Sequence, residues 1–134
     1  MLALNWVAVI VCVVVFMILG MIWYSPQFFG RQWASLSGKK MSDMQKGSIG
    51  MMYGLTFLLG LVMAGMLANV IRYAQVTSPL GGVKTGLWMW IGFIAPTMGI
   101  NAIYQGKPKQ LFLIDSGYFL VALVLWGIIL TVWK

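Results

Sequence analysis

Charged side chains are scarce in this sequence, and several kinds of reactive side chain are rare or missing. The 134 residues contain no histidine, one cysteine and two acidic residues, and only 8% of the residues are charged. Soluble domains carry about 25% charged residues, so the composition excludes an ordinary water-soluble domain. No acid–base pair, catalytic triad or metal-ligand cluster can be assembled from these residue types, so we expect neither enzymatic activity nor a bound cofactor or metal. The single Cys12 also excludes an intramolecular disulfide bond.

Long apolar runs make up most of what is present. Hydrophobic residues form 61% of the chain, and the mean hydropathy is +0.92. A helix needs about 20 apolar residues to cross a hydrocarbon core of about 30 Å. Segments of this kind occur at Leu4–Trp23, Ser48–Ile71, Val83–Ile103 and Leu111–Val132. They use nearly the whole chain, which predicts an all-α membrane protein with a single domain, residues 1–134, built from four transmembrane helices. We expect the first span to be retained, because it lacks the basic start and the cleavage pattern of a signal peptide.

The net charge of +7 comes from basic side chains in the loops. Short loops rich in Lys and Arg remain on the cytoplasmic side of a membrane, which explains the charge without a nucleic-acid partner. The loops of residues 25–47 and 104–110 hold Arg31, Lys39, Lys40, Lys46, Lys107 and Lys109. We therefore expect both loops to be cytoplasmic and both chain termini to lie outside.

The first span ends in an unusual aromatic stretch, GMIWYSPQFFGRQW, at residues 20–33. Trp and Tyr rings settle at the membrane interface, so Trp23 and Tyr24 are expected to anchor the inner end of the span. Ser25 and Pro26 then predict the N-cap and the first residue of a second, short helix. One side of that helix would carry Phe28, Phe29, Gln32, Trp33 and Leu36. This pattern favours a helix lying in the interface plane; the alternative is a surface that binds a partner or a lipid.

Small residues follow one face of the second span. They are Gly47, Gly50, Gly54 and, further along the same face, Gly65. Faces of small residues let helices approach closely in lipid. The sequence leaves two partners open for this face, another span of the same chain and a second copy of the protein.

Polar residues occur where the third and fourth spans meet a short loop. Asp115 is the only acid within a predicted span, and Asn101 lies near the end of the preceding span, with Pro96 and Thr97 in the middle of that span. An ionisable group inside a membrane indicates a functional site, and Pro96 predicts a kink. An aspartate in the early turns of a helix also stabilises the positive end of the helix dipole, so a structural role stays open.

Two sets of residues carry a resemblance to a known family. The first is Gly20, Trp23, Tyr24, Ser25, Pro26, Phe29, Gly30 and Trp33, and the second is Asn101, Gln105, Gly106, Lys107, Ile114, Asp115, Gly117 and Tyr118. With this pattern the chain resembles a family of small four-helix bacterial membrane proteins known only as a domain of unknown function. The resemblance implies a multi-pass protein of the bacterial inner membrane, and it supplies no activity.

Two functions fit these observations. The one we favour is a non-catalytic scaffold or accessory subunit that packs against other membrane proteins or copies of itself. The alternative is a small oligomeric transporter or channel for a cation or a proton, with Asp115 and Asn101 along its path. Whether these polar groups face a cavity or a dry helix contact discriminates between the two.

Overall fold

The computed structural model describes residues 4–25, 27–37 and 49–133, and over these ranges the chain forms five helices and no strands. The helices are α1 (Trp6–Trp23), α2 (Gly30–Ser37), α3 (Ile49–Tyr73), α4 (Pro79–Gln105) and α5 (Lys109–Val132). All except α2 are long and apolar enough to cross a membrane. The prediction of an all-α, four-span membrane protein with a short helix after the first span is therefore confirmed.

The last helix, α5, is the centre of the bundle and contacts each of the other four helices. Its buried side chains join those of α1 and α3 in one apolar core. The contributors are Ala8, Val9, Cys12, Val13 and Phe16 from α1, Ala64, Leu67, Ala68 and Ile71 from α3, and Tyr118, Ala122, Leu123, Trp126 and Leu130 from α5. The core therefore lies along α5, with α1 and α3 packed beside it.

The backbones of α4 and α5 come unusually close together. Gly82 and Gly86 of α4 are buried, and a Cβ atom on Gly82 would overlap the backbone of Gly127 and lie 2.8 Å from Cγ2 of Thr131. A Cβ atom on Gly86 would overlap the carbonyl oxygen of Leu123. Close backbone approach of this kind is what glycine allows in membrane helices. Glycines at both positions therefore fix the α4–α5 contact.

The predicted glycine face of the second span does not pack against this contact. Gly50 and Gly54 are exposed, and among the residues that the structure describes a Cβ atom on either would meet nothing within 4 Å. Gly65 is buried, with the ring of Trp6 3.9 Å from the position of an added Cβ atom. Gly47 lies outside the described residues. The Gly50 and Gly54 end of the face thus packs against none of the described helices.

The third span contains a π-helical turn, Trp90–Ile94, directly before Pro96. The N–H group of Ala95 donates to the carbonyl oxygen of Trp90, five residues earlier, as the wider turn requires. The indole N–H of Trp90 donates to the carbonyl oxygen of Ser116 at 2.8 Å, which ties this turn to α5. The irregular part of the span is therefore held by α5, and the kink at Pro96 stays a prediction.

The short helix after the first span begins later than predicted. Its expected start at Ser25 and Pro26 is wrong, because α2 begins at Gly30; Pro26 itself lies outside the described residues. The hydroxyl of Ser25 donates to the carbonyl oxygen of Ile22 at 2.8 Å, so it closes the end of α1 instead of capping α2. The N–H of Gly30 donates to the carbonyl oxygen of Ser25 at 3.0 Å. Turn structure therefore occupies residues 27–29, which were expected to be helical.

Candidate functional site

The aromatic end of the first span contacts the beginning of α5. The indole N–H of Trp23 donates to the carbonyl oxygen of Ile114 at 3.0 Å, and the hydroxyl of Tyr24 donates to Oδ1 of Asp115 at 2.6 Å. Both aromatic side chains are half-buried. They therefore join two helices as well as marking the end of a span.

Two hydrogen bonds deeper in the bundle run in the opposite direction, from α5 to α1. The hydroxyl of Tyr118 donates to the carbonyl oxygen of Phe16 at 2.6 Å, and the indole N–H of Trp126 donates to that of Cys12 at 2.7 Å. A donor without a partner is costly in hydrocarbon, and such interhelical bonds contribute about 0.6 kcal/mol each on average. Together with the bonds from Trp23 and Tyr24, they hold α1 and α5 in one register.

Aromatic rings form a continuous cluster between the end of α1, α2 and α5. Tyr118 stacks on Phe16 with ring centroids 4.8 Å apart, and Tyr24 meets Tyr118 edge-on at 5.5 Å. The ring of Trp33 from α2 meets Tyr24 edge-on at 5.9 Å. These are favourable arrangements for aromatic pairs. The cluster therefore fixes α2 against the end of the bundle.

Glycines make room for this cluster. A Cβ atom on Gly20 would lie 2.7 Å from the hydroxyl oxygen of Tyr118, and one on Gly117 would lie 3.3 Å from the ring of Trp23. A Cβ atom on Gly30 would overlap the carbonyl oxygens of the preceding turn. Most residues in the two sets that carry the family resemblance thus meet at this one end of the bundle.

An open cavity of about 360 Å³ lies beside the cluster. Its walls are Trp33 and Leu36 of α2, the chain from Gln105 to Pro108, and Leu111 and Asp115 of α5. Gly106, with a left-handed φ of 66°, ends α4 and turns the chain so that this loop forms one wall. The cavity therefore combines apolar side chains with one acidic and one basic group.

The charged groups of the cavity have defined partners. Asp115 is half-buried and accepts the hydrogen bond from Tyr24, and the ammonium of Lys107 and the indole of Trp33 also interact with its carboxyl group. Burial, and then the hydrogen bond to Asp115, raise the pKa of the Tyr24 hydroxyl above its ordinary value. The hydroxyl therefore stays protonated at neutral pH and remains the donor of this pair.

The structure separates the polar residues that the sequence grouped together. Asp115 lines the cavity, whereas Pro96, Thr97 and Asn101 are exposed on α4 and do not belong to its walls. The partner of Asp115 is Tyr24, 91 residues away in the chain. Sequence spacing gives no signal for a contact this distant. The only hint was that both residues belong to the sets that carry the family resemblance.

Within the residues that the structure describes, no group of three or more His, Cys, Asp or Glu side chains could hold a metal ion. The site therefore consists of an aromatic cluster, one carboxyl group and one lysine. Such an arrangement is suited to binding by hydrogen bonds, charge and aromatic contact.

Comparison with known proteins gives one match. No curated protein and no solved structure matches the chain. The family model described as Protein of unknown function (DUF1761) matches residues 7–131, which include the aromatic cluster and the cavity. The resemblance noted from the sequence is thereby confirmed, and the chain belongs to the DUF1761 family of membrane proteins of unknown function.

Proposed function

We propose that the protein is a non-catalytic scaffold or accessory subunit that packs in the membrane against other membrane proteins or copies of itself. We place it in the bacterial inner membrane, with both termini outside and the loops of residues 25–47 and 104–110 in the cytoplasm. The basic residues of these loops support this orientation.

The observation that carries the proposal is the open glycine face of α3. Gly50 and Gly54 are four residues apart and therefore lie on the same side of the helix, and no described residue of the same copy lies within 4 Å of a Cβ atom added at either. In lipid, where apolar surface alone drives no association, such small faces favour close helix packing. A helix from another protein or another copy could pack against this surface.

Contacts among α1, α4 and α5 supply a rigid base for such packing. Hydrogen bonds from Tyr118 and Trp126 hold α5 to α1, and the glycine contact at Gly82 holds α5 to α4. A helix fixed in this way keeps its position when a partner binds elsewhere on the bundle. This supports a role in assembly.

A second candidate is the small oligomeric transporter or channel for a cation or a proton. The observation in its favour is that Asp115 lines an open cavity. The interior beyond that end is filled by fully buried side chains, among them Val9, Val13 and Trp126. This filling favours the scaffold, since a path would have to run between copies.

Purification in a mild detergent with mass determination tests the proposal. We expect the wild-type protein to form a complex larger than one copy, and the double variant Gly50→Leu with Gly54→Leu to lose it. Gly92→Leu is the matched control, because Gly92 is also exposed with nothing within 4 Å of an added Cβ atom. A wild-type protein that is always a single, unaccompanied copy would contradict the scaffold.

Flux measurements in proteoliposomes test the second candidate. If the purified protein conducts protons or monovalent cations and Asp115→Asn abolishes the flux without unfolding, the transporter replaces the scaffold. If the wild-type protein shows no flux, the transporter hypothesis is rejected.

A further inference from the structure

Groups of opposite charge line the cavity at the end of the bundle. Asp115 and Lys107 both line it, and Asp115 is the only acid in the described part of the chain. The whole chain carries +7, so its long-range field repels a free cation. A ligand with both a cationic and an anionic group can pair with Asp115 and with Lys107, and having no net charge it avoids this repulsion.

The acidic side of the cavity suits a primary ammonium group. Tyr24 occupies one oxygen of the Asp115 carboxyl group, but an ionised carboxylate offers about four acceptor positions, so capacity remains for a further donor. Trp33 lines the same cavity, and indole is the aromatic group that attracts ammonium ions best. A group with three N–H donors could bond to the carboxylate while it contacts the indole.

The basic side suits a phosphate. The exposed ammonium of Lys107 is a mobile point charge of the kind that binds phosphate oxygens, and the amide of Gln105 on the same wall can donate as well. Both belong to the short turn between α4 and α5. The phosphate and the ammonium of the ligand would therefore be held by different elements, the turn and α5.

The remaining walls are apolar and lie at the ends of membrane spans. Leu36 and Leu111 complete the cavity, next to the first turns of α5. Span ends lie at the level of lipid headgroups, because the hydrocarbon core covers only about 20 helical residues. A volume of about 360 Å³ falls at the lower end of the range for small-molecule sites.

We propose that this cavity binds the phosphoethanolamine headgroup of a membrane phospholipid, with its ammonium on Asp115 and Trp33 and its phosphate on Lys107. The headgroup is zwitterionic, has three ammonium donors and carries one charged group for each of the two charged side chains that line the cavity. The proposal does not depend on the scaffold role, because neither Gly50 nor Gly54 lines the cavity.

Lipid binding to the purified full chain tests this inference. Native mass spectrometry and thermal shift would be measured with phosphatidylethanolamine, phosphatidylcholine and phosphatidylglycerol that carry identical acyl chains. We expect preference for phosphatidylethanolamine, since the quaternary ammonium of phosphatidylcholine has no N–H donor and phosphatidylglycerol has no cation. Equal binding of all three lipids would overturn the proposal.

Variants locate the site. Lys107→Gln and Asp115→Asn should each reduce the preference about tenfold, as expected for the loss of one charge-assisted hydrogen bond. Lys109→Gln is the matched control for the first, because Lys109 is a neighbouring exposed lysine that does not line the cavity. Tyr24→Phe is the control for the second, since it removes the intramolecular hydrogen bond to Asp115 but keeps the carboxylate, whereas asparagine at position 115 removes the charge and can still accept from Tyr24.

The Lys107 variant and a soluble headgroup provide two further tests. Lys107 is exposed, so its replacement should leave the fold intact even if Asp115→Asn does not fold. A preference that survives Lys107→Gln, or falls equally with Lys109→Gln, would refute the assignment. The headgroup could come from a lipid or from a soluble molecule, and soluble glycerophosphoethanolamine distinguishes these sources. If it competes with the lipid, the headgroup alone suffices for binding. If it does not compete, the acyl chains are required as well.

Discussion

Two glycine substitutions of identical chemistry should have opposite effects on the stability of the bundle. Gly82→Ala places a methyl group against the backbone of α5, where it would overlap the carbonyl oxygen of Gly127 and lie 2.8 Å from Cγ2 of Thr131. Gly54→Ala places the same methyl group in open space. Both positions lie within helices, so the change in helix propensity is similar for the two variants.

The expected magnitudes follow from these contacts. Replacing glycine by alanine inside a helix stabilises it by up to about 1 kcal/mol. At Gly82 the obstacle is backbone rather than a flexible side chain, so α4 and α5 must separate. Overpacking of this kind costs about 1–3 kcal/mol. We therefore expect Gly82→Ala to lower the free energy of unfolding and Gly54→Ala to leave it unchanged or raise it slightly.

Unfolding in mixed micelles with increasing sodium dodecyl sulfate, followed by far-UV circular dichroism and tryptophan fluorescence, measures both variants. Equal stability of Gly82→Ala and the wild-type protein would refute the close contact between α4 and α5. Strong destabilisation by Gly54→Ala would show that its face is buried in an assembly, in agreement with the proposed scaffold.

Three further expectations concern orientation and the aromatic cluster. In a background without Cys12, cysteine at Ser78 should react with an impermeant reagent added to intact cells and cysteine at Lys39 should not; the reverse labelling would invert the proposed orientation. Tyr118→Phe keeps the stacked ring but removes a 2.6 Å hydrogen bond between helices, so the free energy of unfolding should fall by about 0.6 kcal/mol, and no change in detergent unfolding would argue against that bond. Gly30→Ala should lower the free energy of unfolding by at least the cost of overpacking, about 1–3 kcal/mol, since the new methyl group meets backbone oxygens. The yield of folded protein should fall as well. Normal yield and stability would show that the turn can relax.

The sequence alone determined the membrane architecture. A helix must be long enough to cross the hydrocarbon core and must satisfy its own backbone hydrogen bonds, and both demands depend on local composition. The observed bounds of the four spans therefore lie within four residues of the predicted ones. The short helix after α1 was also foreseen, but its start was not, because the Ser25 hydroxyl can bond either forward to α2 or back to α1.

Only the tertiary structure decided which glycines pack. Gly82 and Gly86 have the same four-residue spacing as Gly50 and Gly54. Packing depends on which helix lies opposite, and α5 presents Gly127 to Gly82. A spacing pattern contains no information about the facing helix.

The candidate site also depended on contacts between distant parts of the chain. The sequence identified Asp115 as the notable acid and Tyr24 as an interfacial ring, but their hydrogen bond joins positions 91 residues apart. Asn101, which is closer in sequence, lies exposed on α4 instead. Helix periodicity determines which residues share a face of one helix, whereas the rotation of one helix against another is set by side-chain packing in the bundle. That rotation brought Tyr24 to Asp115 and placed the carboxyl group at the edge of the cavity.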